Sequence, residues 1–186
     1  MKMMMRRELL GKRKALSPDW IAEKSGAACA RVLDLPEWKR AKTVMLYAAT
    51  RSEVQTKELI ARALAEGKRV CLPVRSEEQS EMMAFFIGSP EELVLGDLGY
   101  LEPSKMSLKA EPHEIELAIV PGIAFDEKGN RLGRGMHYYD GFLRRLRARK
   151  VALAFEMQIV PEVPTEDHDV PVDKIVTEKR VINCGK

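Results

Sequence analysis

Arg131–Leu143 reads RLGRGMHYYDGFL, and this stretch decides the fold. It follows the apolar run Leu117-Ala118-Ile119-Val120 and leads into a segment with helical character. Strand, glycine loop and helix start, in that order, are the layout of an α/β phosphate loop. Such a loop turns backbone N–H groups and cationic side chains towards one small volume. Gly133 and Gly135 permit positive φ and a close approach of backbone to an anion. Arg131 and Arg134 supply charge-assisted bonds to phosphate. Taken alone, G-x-G also fits a tight turn with exposed arginines, because the full P-loop and dinucleotide fingerprints are absent. Asp140, in the first turn of the following helix, fits either a cap or a Mg²⁺ ligand beside a phosphate.

Moving outward, Thr43–Ala48 and Arg69–Val74 read as strands, with a helix over Thr56–Glu66 closed by Gly67. Residues 2–15 read as a first helix. Ser17-Pro18 then forms an N-cap with proline at the first helical position, and a second helix runs to about Leu33, where Pro36 breaks it. Met82–Ile87 is a candidate strand, and residues 88–114, rich in Gly, Pro and charge, read as loop or short pieces. Glu116–Val120 is a buried-type strand, Asp140–Arg149 a helix and Val151–Phe155 a strand. Pro161, Pro164 and Pro171 make an irregular segment before a last strand near Ile175. Strand and helix alternate, which predicts a single α/β domain over 1–186. Its open sheet is largely parallel and flanked by helices, and ligands bind beyond the strands' carboxyl ends.

The bulk composition narrows the function classes. The chain has 186 residues, 45% hydrophobic and 32% charged, enough for a core without staples. A net charge of +3 is too balanced to predict a nucleic-acid partner. No apolar run has the length of a bilayer span, and none follows the basic N-terminus, so neither a membrane partner nor a secretory signal is expected. Cys29, Cys71 and Cys184 show neither metal spacing nor a disulfide framework, which fits a reducing, cytoplasmic setting.

Three further clusters carry chemistry. Lys2, Arg6, Arg7, Lys12, Arg13 and Lys14 form a basic first helix, either a solvated face or a set of cations reaching a polyphosphate. With Arg144, Arg145, Arg147, Arg149 and Lys150 they also suggest a basic nucleic-acid module, a weaker reading given the scattered acids. Glu53 lies just past the first strand, at the functional edge of the sheet. Glu166-Asp167-His168-Asp169 is either a metal cluster or a solvated turn, while Trp20 and Trp38 read as packing residues.

Together and in this order, these pieces resemble the 5-formyltetrahydrofolate cyclo-ligase family over nearly the whole chain. The strongest match is Pro121-Gly122-Ile123-Ala124-Phe125-Asp126, then Gly129-Asn130-Arg131-Leu132-Gly133-Arg134-Gly135, then Tyr138-Tyr139-Asp140. Lys2 with Arg6, Ser52-Glu53, and Phe155-Glu156-Met157-Gln158 through His168-Asp169 fall where the family has them. The resemblance implies a Rossmann-like fold of the sugar isomerase/CoA-transferase type. It also implies ATP- and Mg²⁺-dependent closure of 5-formyltetrahydrofolate to 5,10-methenyltetrahydrofolate, releasing ADP and phosphate.

By the same resemblance, Lys2, Met3, Met4, Met5 and Arg6 bind ATP together with Arg131, Leu132, Gly133, Arg134, Gly135, Met136, His137, Tyr138 and Tyr139. Ala48 and Glu53 bind the folate together with Arg134, Gly135, Met136, His137 and Tyr138. Arg134 and Tyr138 are the implied catalytic residues, and Asp140 and Asp169 hold Mg²⁺. The implied partners are the two small molecules alone, and the implied state is a monomer. One position departs from the family's G-x-G-x-G-Y-Y-D, since His137 stands at the third glycine. If that position needs positive φ, a side chain costs roughly 1–2 kcal/mol, although histidine tolerates it better than most residues. The departure keeps an alternative open: a folate- or nucleotide-binding homologue with lost or altered catalysis.

Overall fold

The computed structural model describes residues 1–76, 81–96, 99–104, 106–135 and 138–185, with Ser76 and Tyr138 as backbone only. Three helices come first: α1 (Lys2–Lys14), α2 (Pro18–Asp34) and α3 (Pro36–Arg40). Strand β1 (Thr43–Met45) leads through helix α4 (Lys57–Ala65) to β2 (Arg69–Ser76) and β3 (Glu81–Ile87). Short strands β4 (Leu93–Leu95), β5 (Leu101–Pro103) and β6 (Lys109–Ala110) precede β7 (Leu117–Val120), β8 (Ala124–Phe125) and β9 (Arg131–Leu132). Helix α5 (Tyr138–Arg145) and strands β10 (Arg149–Leu153), β11 (Lys174–Val176) and β12 (Val181–Asn183) complete the chain.

An 8-stranded sheet runs in the order β12-β11-β10-β7-β1-β2-β3-β6. Its centre, from β11 to β2, is parallel, and β12, β3 and β6 add antiparallel edges. Period-two alternation divides the core. Leu117 and Ile119 of β7 face a layer built from α2, α3 and α4, including Val32, Trp38, Leu59 and Ile60. Ala118 and Val120 face Phe142 and Leu143 of α5 and Leu146 just after it. The helices after β1 and β7 therefore lie on opposite faces, and adjacent β1 and β7 form the topological switch where α/β sheets hold ligands. A third cluster, Leu9 with Ile123, Ala124, Leu132 and Val163, seats α1 on the β8–β9 hairpin beside that switch.

Local chemistry sets the element ends. The Ser17 hydroxyl accepts from Trp20 N at 3.2 Å, with Pro18 in the first turn of α2. Gly67 follows α4 at φ +74°, a left-handed stop that glycine takes without strain. The sequence reading needs correction in four places. Pro36 ends α2 but also opens α3. β1 stops at Met45, and after Leu46 N bonds Cys71 O the chain leaves the ladder for the ligand side. Helix α5 spans Tyr138–Arg145 rather than reaching Arg149, because Arg149 pairs with Leu117 in the sheet. The strand at Ile175 is followed by an antiparallel partner, β12, and is not the last. No described helix is long and apolar enough to cross a membrane.

Candidate functional site

A cavity opens at the β1/β7 switch. Tyr47, Ala48, Thr50 and Glu53 enter it from the loop after β1, and Pro121 and Gly122 from the end of β7. The glycine loop and α5 bring Arg131, Leu132, Gly133, Arg134, Gly135, Tyr139 and Asp140. Helix α1 contributes Lys2 and Arg6, and Asp169 closes that end. β1 ends at Met45 and β7 at Val120, and the residues beyond those ends line the cavity.

The loop after β1 is tied down before it meets any ligand. Tyr47 Oη donates to Val54 O at 3.0 Å, and Gln55 Nε2 donates to Thr50 O and Glu53 O. Burial pushes the Tyr47 phenol well above its ordinary range, so it stays neutral. Glu53, 8% exposed, is held by Thr50 N at 2.9 Å from Oε2 and by Arg134 Nη2 at 3.1 Å from Oε1. Arg134 also donates to the Tyr100 hydroxyl at 3.1 Å.

The segment between β8 and β9 is fixed by Asp126. This buried carboxylate accepts from the backbone N–H of Lys128, Asn130 and Val163 and from Asn130 Nδ2. Gly129 sits at φ +92° with Val172 O 2.4 Å from where a Cβ would lie, so only glycine fits. Beyond β9, Arg6 Nε donates to Gly133 O at 2.8 Å, and Gly135, at φ +101°, packs against the Arg6 guanidinium. The first helix and the glycine loop thus form one wall.

Two ion pairs frame the far end. Arg131 Nη2 donates to Asp140 Oδ2 at 3.0 Å, with both side chains nearly enclosed, and Asp140 Oδ1 accepts from Val170 N. Both Asp140 oxygens thus have partners outside α5. Lys2 Nζ lies 2.8 Å from both Glu166 and Asp169. Burial lowers the Lys2 pKa and the bonds from Asp169 and Glu166 raise it, the net being upward. Burial raises the Asp169 pKa, but the Lys2 bond, the Glu166 backbone N–H and the nearby positive charge together hold it below its ordinary value. Glu166, His168 and Asp169 offer ligand atoms within 4.8 Å of one another, and of the three Asp169 lines the cavity. Carboxylate oxygens are the donor set that Mg²⁺ prefers, and Asp140 and Asp169 both reach the cavity.

Not every expected residue lines the cavity. Met3 and Met4 are each 79% exposed, and Met5 packs into the core beneath α1. Met136 and His137 lie outside the described residues, as does the side chain of Tyr138. Sequence reasoning missed Pro73, Arg75, Met82, Tyr100, Leu101 and Glu102, all lining the cavity. It also left Arg13 within a charge run, whereas its side chain is buried beneath Glu53. Helical spacing from Arg6 was the available signal for Arg13, seven positions on and on the same face. The hairpin residues gave no comparable pattern.

The sequence profile of the 5-formyltetrahydrofolate cyclo-ligase family matches residues 1–178. The chain belongs to that family. The probable 5-formyltetrahydrofolate cyclo-ligase of Schizosaccharomyces pombe is 36% identical over 178 residues, 87% of each chain. The 5-formyltetrahydrofolate cyclo-ligase of Escherichia coli K12 is 32% identical, covering 91% of this chain and 96% of that one. The solved structure of the 5,10-methenyltetrahydrofolate synthetase of Aquifex aeolicus superposes with a TM-score of 0.88 at 34% identity, over 100% of this chain and 93% of that one. As a cyclo-ligase of this family, the chain is a ligase.

Proposed function

We propose that residues 1–186 form one cyclo-ligase domain whose cavity binds 5-formyltetrahydrofolate and ATP with Mg²⁺ and produces 5,10-methenyltetrahydrofolate, ADP and phosphate. The observation that carries this reading is Arg134, whose guanidinium joins Glu53 to the glycine loop, with the family match over 1–178 behind it. A formyl oxygen is a poor leaving group and the formyl carbon a poor electrophile. Attack of that oxygen on the γ-phosphorus, with ADP leaving, corrects both defects. N10 then closes on the carbon and gives up its proton, and the C–O bond breaks to release phosphate. No nucleophilic side chain is required, and the protein's work is positioning and charge stabilisation.

In this reading Glu53 accepts paired N–H donors from the pterin edge, and Ala48 lines the wall beside it. Lys2 and Arg6 meet the ATP phosphates, and the segment from Arg131 to Tyr139, including Met136 and His137, cradles the nucleotide. Gly135 to Tyr138 border both substrates. Arg134 and Tyr138 act at the transferring phosphoryl group. The first turn of α1 lacks a side-chain cap, so Met3 and Met4 meet the nucleotide through backbone N–H groups, and Met5, whose N–H already donates to Met1 O, borders it. Asp140 and Asp169 hold Mg²⁺, which when bound neutralises charge on the phosphates. The working state is a cytoplasmic monomer with no nucleic-acid or membrane partner.

The test is direct. Purified protein with 5-formyltetrahydrofolate, ATP and Mg²⁺ gives the methenyl chromophore. Folate binding without that signal leaves the alternative of a homologue with altered catalysis, which the histidine at position 137 favours. His137→Gly then keeps or improves turnover if the histidine is a tolerated departure, and abolishes it if the histidine has entered the mechanism.

A further inference from the structure

Burying a guanidinium is costly unless its charge is matched. Arg13 is 1% exposed, and it reaches past its own helix into the site. Nη1 donates to Gly122 O at 3.0 Å, Nη2 donates to Ser52 Oγ at 3.2 Å, and Nη2 lies 3.9 Å from Glu53 Oε1. One side chain of α1 therefore ties the loop after β1 to the end of β7, beneath the carboxylate assigned to the pterin.

Glu53 faces two arginines of opposite character. Arg134 is the nearer, at 3.1 Å, but its side chain is 49% exposed and rides on the glycine loop. Arg13 is enclosed and has no room to leave. The other titratable neighbours are Tyr47, at the end of β1, and Tyr139, on α5. Burial pushes both phenols up, so they carry no charge against the carboxylate. When Arg134 turns to a phosphoryl group, Arg13 is the counter-charge that stays.

Resting on the function proposed above, we infer that Arg13 is a positioning residue: as a fixed counter-charge it holds the Glu53 carboxylate aimed into the cavity while Arg134 engages the phosphoryl group. Truncating one member of a buried charge pair leaves the other stranded, so the effect falls on whatever the stranded group binds. The effect on the folate is therefore larger than the effect on ATP.

The experiment compares wild type, Arg13→Met, Arg13→Lys and Arg13→Met in a Glu53→Gln background. KM for each substrate, the pH profile of kcat/KM for the folate, and thermal stability are measured. Arg13→Met is expected to raise the folate KM roughly tenfold or more, leave the ATP KM within about twofold, and move the acid limb of the profile to higher pH. Arg13→Lys keeps the charge and restores the acid limb. In the Glu53→Gln background, Arg13→Met adds no further rise in folate KM, since the pair is already broken. Equal changes in both KM values, or lower stability with an unmoved pH profile, would overturn the inference. If Arg13→Met does not fold, Arg13→Gln decides: a folate KM raised about threefold or more with the acid limb moved supports the role, and no change in either removes it. Wild-type protein that neither binds nor converts the folate sinks the proposed function and this inference together. Wild-type turnover with an unchanged Arg13→Met sinks this inference alone.

Discussion

The two ends of the cavity hold their charges in different ways. At one end Glu53 is nearly enclosed and bonded to backbone, with a buried arginine beneath it. At the other, Lys2 bridges Glu166 and Asp169 from the first turn of α1, and the Glu166 side chain is 54% exposed. A buried, over-determined charge keeps its direction and suits recognition of a rigid ring. A rim charge with replaceable partners can exchange a carboxylate for a phosphate at little cost. Arg134 stands between the two, half exposed but bonded to Glu53, which suits a group that must change partners during phosphoryl transfer.

The sharpest way to break this comparison is Arg134→Ala. An arginine at a transferring phosphoryl group is worth on the order of 10³-fold in rate, so kcat should fall by about that factor. Steady-state rates from methenyl absorbance give the answer, and a near-normal kcat would remove Arg134 from the chemistry.

Asp140→Ala comes next and tests the wall behind the phosphates. It strands the buried Arg131 guanidinium, a change worth about 3 kcal/mol or more in stability, read by urea unfolding. If Asp140 also holds Mg²⁺, the metal concentration for half-maximal activity rises. A stability loss without that rise would make Asp140 a structural partner of Arg131 only.

These two residues also show what was legible in the chain. The glycine loop, Tyr138-Tyr139-Asp140 and the strand before them lie close in sequence, so local pattern and family resemblance both reach them. Pattern raised Asp169 only as part of a metal cluster or a solvated turn, and the resemblance chose between them, because its tie to Lys2 spans 167 positions and depends on where α1 docks. The Asp126 turn was quoted as motif, but its physical role needed coordinates: four bonds to one carboxylate. Arg13 was hidden by its company, since a basic helix reads as a solvated face until the β8–β9 hairpin covers one side of it. Tyr100 and Leu101 lie on a short hairpin, β4–β5, within a stretch read as loop or short pieces, too brief for a period to show. The end of α5 was misjudged because Arg144 to Arg149 carries no stop signal, and strand pairing decides the boundary.

The Lys2 bridge yields a smaller effect with a defined pH window. Asp169 and Glu166 are held below their ordinary values of 3.8 and 4.5, so their contribution is complete above those values and is lost as pH falls through the depressed ones. Lys2 is raised above 10.5, so its contribution is complete below that pH and is lost as pH rises through the raised value. Between these limits none of these three groups changes its own charge. Lys2→Ala should cost about 1 kcal/mol or less in stability yet raise the ATP KM several-fold, with the folate KM unchanged. Equal rises in both would deny the two ends their separate roles.

The smallest expected effect falls on Met3 and Met4, and its smallness is the point. Both side chains are 79% exposed, while the first turn of α1 presents uncapped N–H groups beside Lys2. If the nucleotide meets that turn through backbone, Met3→Ala and Met4→Ala should each shift stability by no more than about 0.5 kcal/mol and leave the ATP KM unchanged. Met4→Pro removes one of those N–H groups in the first turn, where proline is tolerated, so its fold cost is small while its effect on ATP binding is not. Isothermal titration with ATP separates the cases. A loss with alanine means the side chains themselves close on the nucleotide, and no loss with proline means that phosphates rest on Lys2 and Arg6 alone.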